Sequence, residues 1–469
     1  VAQVPYTIDN FRGGLCETAL SGMSQTPDCR NVIARVTGLL EKRKGQERLN
    51  LSVLPGPING AHAYYNGTTR ILVVAAADKA YQYNPVTREF TDIKSGLSDD
   101  NPVQFVTCAN YMVAFDGNTP PWKFDGLQVT NLENAPADGY LACLYKEKLF
   151  SVSKSDPSIL LWSDSFEPET WTPENHWAVG DGDGDVITAI CPYGKQNHLA
   201  VFKQRAVYAL YGTSLDDFEM PPSRSGHGAV GANAVVESTS GLMYYVSSDG
   251  IYAYDGYSST KITKVIPLTW GSINQAALSG ACAWEWDGLL YFALPVGEST
   301  HNNLVLCFDP DTGAWWPYSG INASCATLWE EKENSGAALL TGSSADGYMV
   351  RQEAGTTDFG HPIEAYWWTP PIGAHEPLRR KKLHSLYIAN EPDAGADEVS
   401  VSFVSSQKER AIPVSLTPVY DESDPYRQRY DFADGTYAHR FQARISHGSA
   451  DKLMQVRQMR FRIQAEVRH

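Results

Sequence analysis

Two stretches far apart in the chain decide how it is read: Tyr83-Asn84-Pro85-Val86-Thr87-Arg88-Glu89-Phe90 and Phe308-Asp309-Pro310-Asp311-Thr312-Gly313-Ala314-Trp315. Both fit one template: aromatic, Asn or Asp, Pro, any residue, Thr, two further residues, aromatic. Its physical content is a hairpin. The first aromatic ends a strand, the Asx side chain accepts backbone amides two residues on, proline presets φ, and the second aromatic begins the return strand. Related turns stand at Phe124-Asp125-Gly126, Trp162-Ser163-Asp164, Tyr211-Gly212, Tyr254-Asp255-Gly256 and Asp346-Gly347-Tyr348. They recur in steps of roughly 40 to 50 residues, the length that one four-stranded propeller blade consumes.

Between the turns, short runs of β-branched and aromatic residues bounded by Gly, Asn, Asp and Pro recur from about residue 60 to residue 355, and helical periodicity is almost absent. The expected fold is all-β, a six- or seven-bladed β-propeller with an N-terminal arm and a C-terminal β-sandwich. The expected boundaries are 1–55 for an arm or partial blade, 56–368 for the propeller and 369–469 for the sandwich and a docking strand. A large Greek-key sandwich is the rival architecture. Thr369-Pro370-Pro371 and Pro377 mark the linker, and Arg379-Arg380-Lys381-Lys382 follows it. Val399, Val401 and Phe403 alternate with polar residues. So do Met459, Phe461, Ile463, Ala465 and Val467 with Arg460, Arg462, Gln464, Glu466 and Arg468, giving one core face and one charged face. An Arg-lined last strand is ordinarily a solvated face, and in an assembling protein it can pair with an acidic neighbour.

The net charge of −16 argues against a general nucleic-acid binder, since phosphate binding rests on Lys and Arg. The charge is uneven: residues 1–374 hold 23 Lys and Arg against 41 Asp and Glu, whereas residues 375–469 hold 15 against 13. An acidic surface keeps a protein soluble and also repels DNA passing beside it. No apolar run approaches the length of a membrane helix, and Val1 to Asn10 has no basic start followed by an apolar stretch. The eight cysteines (16, 29, 108, 143, 191, 282, 307 and 325) form no C-x-x-C pair and read as reduced core residues.

Candidate chemistry is sparse. Asp181-Gly182-Asp183-Gly184-Asp185 resembles the start of a calcium loop, because alternate carboxylates can converge on a hard cation. Val186 at the sixth position and Pro192 at the twelfth exclude an EF-hand. A looser site on Asp181, Asp183 and Asp185 stays open beside the default of a tight acidic hairpin. Gly226-His227-Gly228-Ala229-Val230-Gly231 matches G-x-G-x-x-G but lacks the strand and helix that would aim amides at a pyrophosphate. Asp309 to Trp316 partly matches the box of sialidase propellers, which is a structural turn. H-E-x-x-H and G-x-S-x-G are absent, and 54 acidic residues single out no glycosidase pair. No catalytic, cofactor-binding or metal residue is assigned, no cofactor is expected, and the chain is read as not an enzyme.

Five ordered segments carry a resemblance. Phe11-Arg12-Gly13-Gly14-Leu15, Asp28-Cys29-Arg30-Asn31-Val32 and Leu40-Glu41-Lys42-Arg43-Lys44-Gly45 follow the pattern F-x-G-G-L, D-x-x-N-V, L-x-x-R-x-G. Gly180 to Ile190 with Leu199 to Tyr208, and Gly241 to Gly256 around Ser248-Asp249-Gly250-Ile251-Tyr252, continue it. In this order they resemble the tail nozzle and packaged-DNA stabilisation proteins of tailed bacteriophages, over about a third of the chain. The resemblance implies a virion protein of the tail, assembled in the host cytoplasm as a homo-oligomeric, six-fold ring below the portal and adaptor. There it retains packaged DNA and forms part of the exit channel, with DNA only as cargo and no membrane insertion. It implies no catalytic residues. The alternative is a carbohydrate-binding or carbohydrate-degrading propeller, suggested by the Trp-rich hairpins. On the first reading, truncation after Pro371 abolishes ring formation and leaves a folded propeller.

Overall fold

The computed structural model describes residues 4–18, 22–35, 37–98, 101–221, 225–373, 379–390, 399–405, 414–416, 418–420, 427–434 and 436–465. Pro377 of the expected linker and Glu466, Val467 and Arg468 of the expected last-strand alternation lie outside these residues. The chain is all-β, with 51% strand and 4% helix.

Seven small antiparallel sheets follow one another along the chain. The first is built of Ile58–Asn66, Thr69–Ala76, Lys79–Asn84 and Glu89–Ser95, in that order across the sheet. The next five begin with Gln104–Cys108, Gly139–Tyr145, Ile187–Tyr193, Val235–Glu237 and Cys282–Trp286 and keep the same order of strands. The fourth has three strands, extended by a bridge between Tyr211 and Glu219. The seventh consists of Ala323–Trp329, Ala338–Ser343 and Met349–Arg351, and its outer strand is Glu47–Arg48 from the other end of the chain. The opening strands of successive sheets touch one another in turn, and that of the seventh touches that of the first.

The turn template places these sheets. Asn84 accepts from Val86 N at 3.0 Å, Asp125 from Leu127 N at 2.8 Å, Asp255 from Tyr257 N at 2.8 Å and Asp309 from Asp311 N at 3.0 Å. Each is the connection between the third and fourth strands of its sheet, where a short polar side chain takes over amides that no strand partner reaches. The turn at Asp346-Gly347 breaks the series, because it joins the second and third strands of the seventh sheet. The reason is the borrowed fourth strand. Asn50, beyond Glu47–Arg48, donates to Gly347 O at 3.1 Å and accepts from Met349 N at 2.9 Å, so the closing segment is fixed by side chain as well as by ladder.

Two short ladders, Gly14–Leu15 with Gln25–Thr26 and Thr357–Asp358 with His361–Pro362, and two larger sheets make up the rest of the described strands. One carries Pro418–Tyr420, Arg427–Asp431, Lys381–Asn390, Gln455–Ala465, Leu40–Lys42 and Val32–Ala34, with Val4–Ile8 also paired to Gln455–Ala465 and Tyr437–Ala438 to Lys381–Asn390. The other carries Val414–Leu416, Ser400–Ser405, Phe441–His447, Ala365–Trp368 and Cys29–Arg30. Their apolar faces meet at Phe441 and Phe461, whose rings cross at 5.3 Å, and at Phe403 and Phe432 at 4.9 Å. Met459, Phe461 and Ile463 are buried and Arg460 and Arg462 exposed, as the alternation requires. The segment expected as an N-terminal arm is thus divided between both large sheets and the seventh small one. Truncation after Pro371 would remove Gln455–Ala465, the partner of Val4–Ile8 and one of two partners of Leu40–Lys42, whereas every strand of the seven small sheets lies before that point.

The junction is held by Arg43, whose side chain is 2% exposed. Its guanidinium donates to both oxygens of Asp358, to Asn31 Oδ1 at 3.0 Å, to Lys44 O at 2.9 Å and to Ser319 O at 2.7 Å. Asn31 in turn donates to Ser319 Oγ and Glu364 O. Two residues on, a Cβ on Gly45 would stand 2.0 Å from Thr357 O, so only glycine lets the two backbones approach. Arg43→Ala removes the ion-pair partner of Asp358 and one of the two donors to Asn31 Oδ1, the other being Ser319 N. It is expected to lower stability by about 3 to 5 kcal/mol, read from the denaturant midpoint.

Candidate functional site

The acidic hairpin is a joint of the fold. Lys203, fully buried, donates to Val179 O at 2.7 Å and to both oxygens of Asp183 at 2.6 and 2.8 Å. Burial alone would raise the Asp183 pKa; the bonds from Lys203 and from Asp185 N outweigh it and hold the carboxyl below its ordinary value. Asp185 accepts from Val186, Gln204 and Arg205 amides and so closes the turn after Lys203. Asp181 stands exposed beside them. Among the described residues no group of three or more His, Cys, Asp or Glu side chains is placed to hold a metal ion. The G-x-G-x-x-G stretch packs against the same turn: a Cβ on Gly228 would stand 1.8 Å from Lys203 O.

A cavity lies at the start of the opening strands. It measures about 320 Å³ and is lined by Asn59, Asn101, Asn233, Asn302, Ser324 and His301, among others. Side chains cross it. Gln104 of the second sheet donates to Asn233 Oδ1 at 3.1 Å, and Asn233, just before the fifth sheet, donates to Ser324 O of the seventh at 3.1 Å. Asn302 is buried and donates to Gly280 O and Ala323 O. The lining is neutral and rich in amides. It brings together neither a nucleophile with a base nor the two carboxylates that glycoside hydrolysis uses.

The hairpin aromatics divide between surface and core: Tyr211 is 37% and Tyr257 59% exposed, whereas Trp162 and Trp315 are buried. Trp122, Trp162, Trp315, Trp316 and Trp367 are each less than 2% exposed, and no tryptophan stands among the strongly exposed apolar residues. They fill the cores of the sheets and the spaces between them, as with Trp162 edge-on to Phe218 at 5.1 Å. The eight cysteines are unpaired and all but Cys191 fully buried, and burial pushes thiols such as Cys108 and Cys325 up to about 11.

Sequence reasoning named Asp183 and Asp185 but missed Lys203, Asn31 and Arg43 as the groups that organise buried polar contacts. A lysine inside the apolar run Leu199-Ala200-Val201-Phe202-Lys203 was the available signal, since a buried ammonium requires a carboxylate.

No family model matches the chain, and no curated protein matches it. Among solved structures it is similar to the computationally designed Ika8 protein, at 14% identity over 66% of this chain and 100% of that one, with a TM-score of 0.42. It is also similar to the extracellular domains of two B. thetaiotaomicron proteins. BT3049, named as a hybrid two component system, is 10% identical over 91% of this chain and 61% of that one, with a TM-score of 0.48. BT4673, named as a one component system, gives 11%, 93% and 62%, with a TM-score of 0.47. The chain spans about three fifths of each of those domains. At these identities and scores the likeness carries nothing about function.

Two buried imidazoles set a pH response. His62, beside Thr107 Oγ1 at 2.8 Å, is pushed down to about 4 by burial, and His198, among Tyr193, Tyr211 and Tyr254, is lowered for the same reason. Above the ordinary histidine value of about 6.5 both folded and unfolded forms are neutral and nothing is lost. Below it the unfolded chain takes up protons that the folded chain refuses, so stability falls as pH drops toward 4. The melting temperature is expected to be flat between pH 6.5 and about 8, below the ordinary thiol value, and to decline toward pH 4.5. His62→Gln should remove part of that slope and His62→Gln/His198→Phe most of it.

Proposed function

We infer that the chain is a structural protein of a phage tail, a nozzle or DNA-stabilisation ring subunit whose seven small sheets are the blades of one β-propeller. The two large sheets are its sandwich and serve subunit contacts. The propeller reading is supported by the unbroken succession of touching opening strands and by the closing strand Glu47–Arg48.

The observation that carries the functional reading is where the resembling motifs fall. Phe11 is buried edge-on to Trp367 at 5.1 Å, Gly14 lies against Trp315, and Asn31, Arg43 and Gly45 form the junction. Lys203 and Asp183 tie the fourth sheet, and Asp249 takes bonds from Tyr252 and Lys261 in the fifth. These positions fix the shape of the body, and Arg43 also lines a cavity of about 260 Å³ beside Tyr291 and Tyr318. A shared pattern of this kind specifies a rigid body, which is what a ring subunit contributes. The reading also states where DNA travels. The axial cavity is bridged by Gln104, Asn233 and Ser324, so the conduit is enclosed between subunits, and the acidic body repels the passing polyanion.

The purified chain is expected to give a closed ring with a central channel by light scattering and negative-stain imaging. A monomer at every concentration, together with absence of the chain from purified virions, would overturn the reading.

A further inference from the structure

On the outer face of the larger C-terminal sheet basic groups gather with few carboxylates among the described residues to neutralise them. Arg460 and Arg462 project from Gln455–Ala465 beside Tyr387 of Lys381–Asn390, and Arg429 of the next strand completes the group. The Arg462 guanidinium lies 4.8 Å from the Tyr387 ring centroid and that of Arg429 5.9 Å. Arg429 is paired with Asp431 at 2.8 Å, but among the described residues no carboxylate pairs with Arg460 or Arg462. Exposed arginine around a half-buried tyrosine is the composition of an interface centre, because both side chains combine large flat contact area with donors.

The complement is on the same chain. At the edges of the second and third small sheets, Leu127 is 91% exposed and Phe166 68%. The third-sheet connection that carries Phe166 is tied to that edge by Phe166 N to Glu147 O at 2.8 Å and by Glu133 N to Glu169 Oε1 at 3.2 Å. Glu133, Glu147 and Glu167 stand exposed around it. The only ion pair there is Lys123 with Glu169, which leaves those three carboxylates without a cation among the described residues. The two patches belong to different parts of one chain, so a contact between them joins two copies head to tail and repeats around a ring.

We propose that the Arg429, Arg460, Arg462 and Tyr387 face of one copy docks on the Leu127–Phe166 edge of the next, pairing its arginines with Glu133, Glu147 and Glu167. The assignment rests on the ring reading above and names its interface. Charge pairs of this kind fix register and exclude wrong partners, and they weaken as salt screens them.

The test uses the full chain. Arg460→Glu/Arg462→Glu is expected to convert the ring to monomers by light scattering, with at least a tenfold rise in the concentration needed for assembly and an unchanged melting temperature. Combining it with Glu147→Lys/Glu167→Lys, which exchanges the signs, is expected to restore the ring, whereas the lysine pair alone should break it. A ring that persists in Arg460→Glu/Arg462→Glu overturns the proposal and leaves the ring reading intact. Loss of the ring without restoration by the exchanged variant overturns the assignment of the Leu127–Phe166 edge. Absence of a ring in the unaltered chain is a failure of the functional reading itself.

Discussion

The fold depends on a buried guanidinium, that of Arg43, whose side chain is only 2% exposed. Arg43 must find protein acceptors for its donors, and it finds them on Asn31, Lys44, Ser319 and Asp358. Those acceptors come from the opening segment, the sixth sheet and the stretch after the seventh. Asp358 supplies the opposite charge and the other groups the remaining acceptors, so the junction ties these regions together. Buried ion pairs contribute little net stability compared with an apolar replacement, but they are costly to leave half made. The physical role of Arg43 is therefore to make one arrangement of the chain's two ends far better than any other.

The same segment solves an edge problem. A three-stranded seventh sheet would leave Met349–Arg351 with unpaired backbone groups, open to any passing strand. Two residues, Glu47 and Arg48, occupy that edge, and Arg48 lies 4.1 Å over the Tyr348 ring. A short ladder suffices because Asn50 and Leu49 extend it by bonding Gly347 and Met349. The first, second, third, fifth and sixth small sheets build their fourth strand from the next stretch of sequence.

What could be read from the sequence follows from this difference between local and distant partners. The hairpin turns were visible because the Asx side chain, the proline and the flanking aromatics act on neighbouring residues. The alternation around Met459, Phe461 and Ile463 was visible because a pleated strand repeats every two residues. The pairing of Val4–Ile8 with Gln455–Ala465 was not, since nothing in either run names a partner some 450 residues away. The same holds for the polar sites. Asp183 and Asp185 were noticed as a run of acids, but their role was set by Lys203, which approaches only in the folded chain. The amide bridge of Gln104, Asn233 and Ser324 left no sequence pattern, because its members come from three separate sheets.

The closing strand also sets a schedule. On a ribosome, Glu47 and Arg48 emerge long before their partners at Val350 and Arg351. At roughly 5 to 20 residues per second, that gap lasts on the order of 15 to 60 s. During this interval the strands Cys29–Arg30 and Glu47–Arg48 have been made but their partners Ala365–Trp368 and Met349–Arg351 have not. A nascent chain of this design carries a waiting, aggregation-prone end through nearly its whole synthesis. Its natural protection is a chaperone, or the rapid formation of the six self-contained sheets that come between.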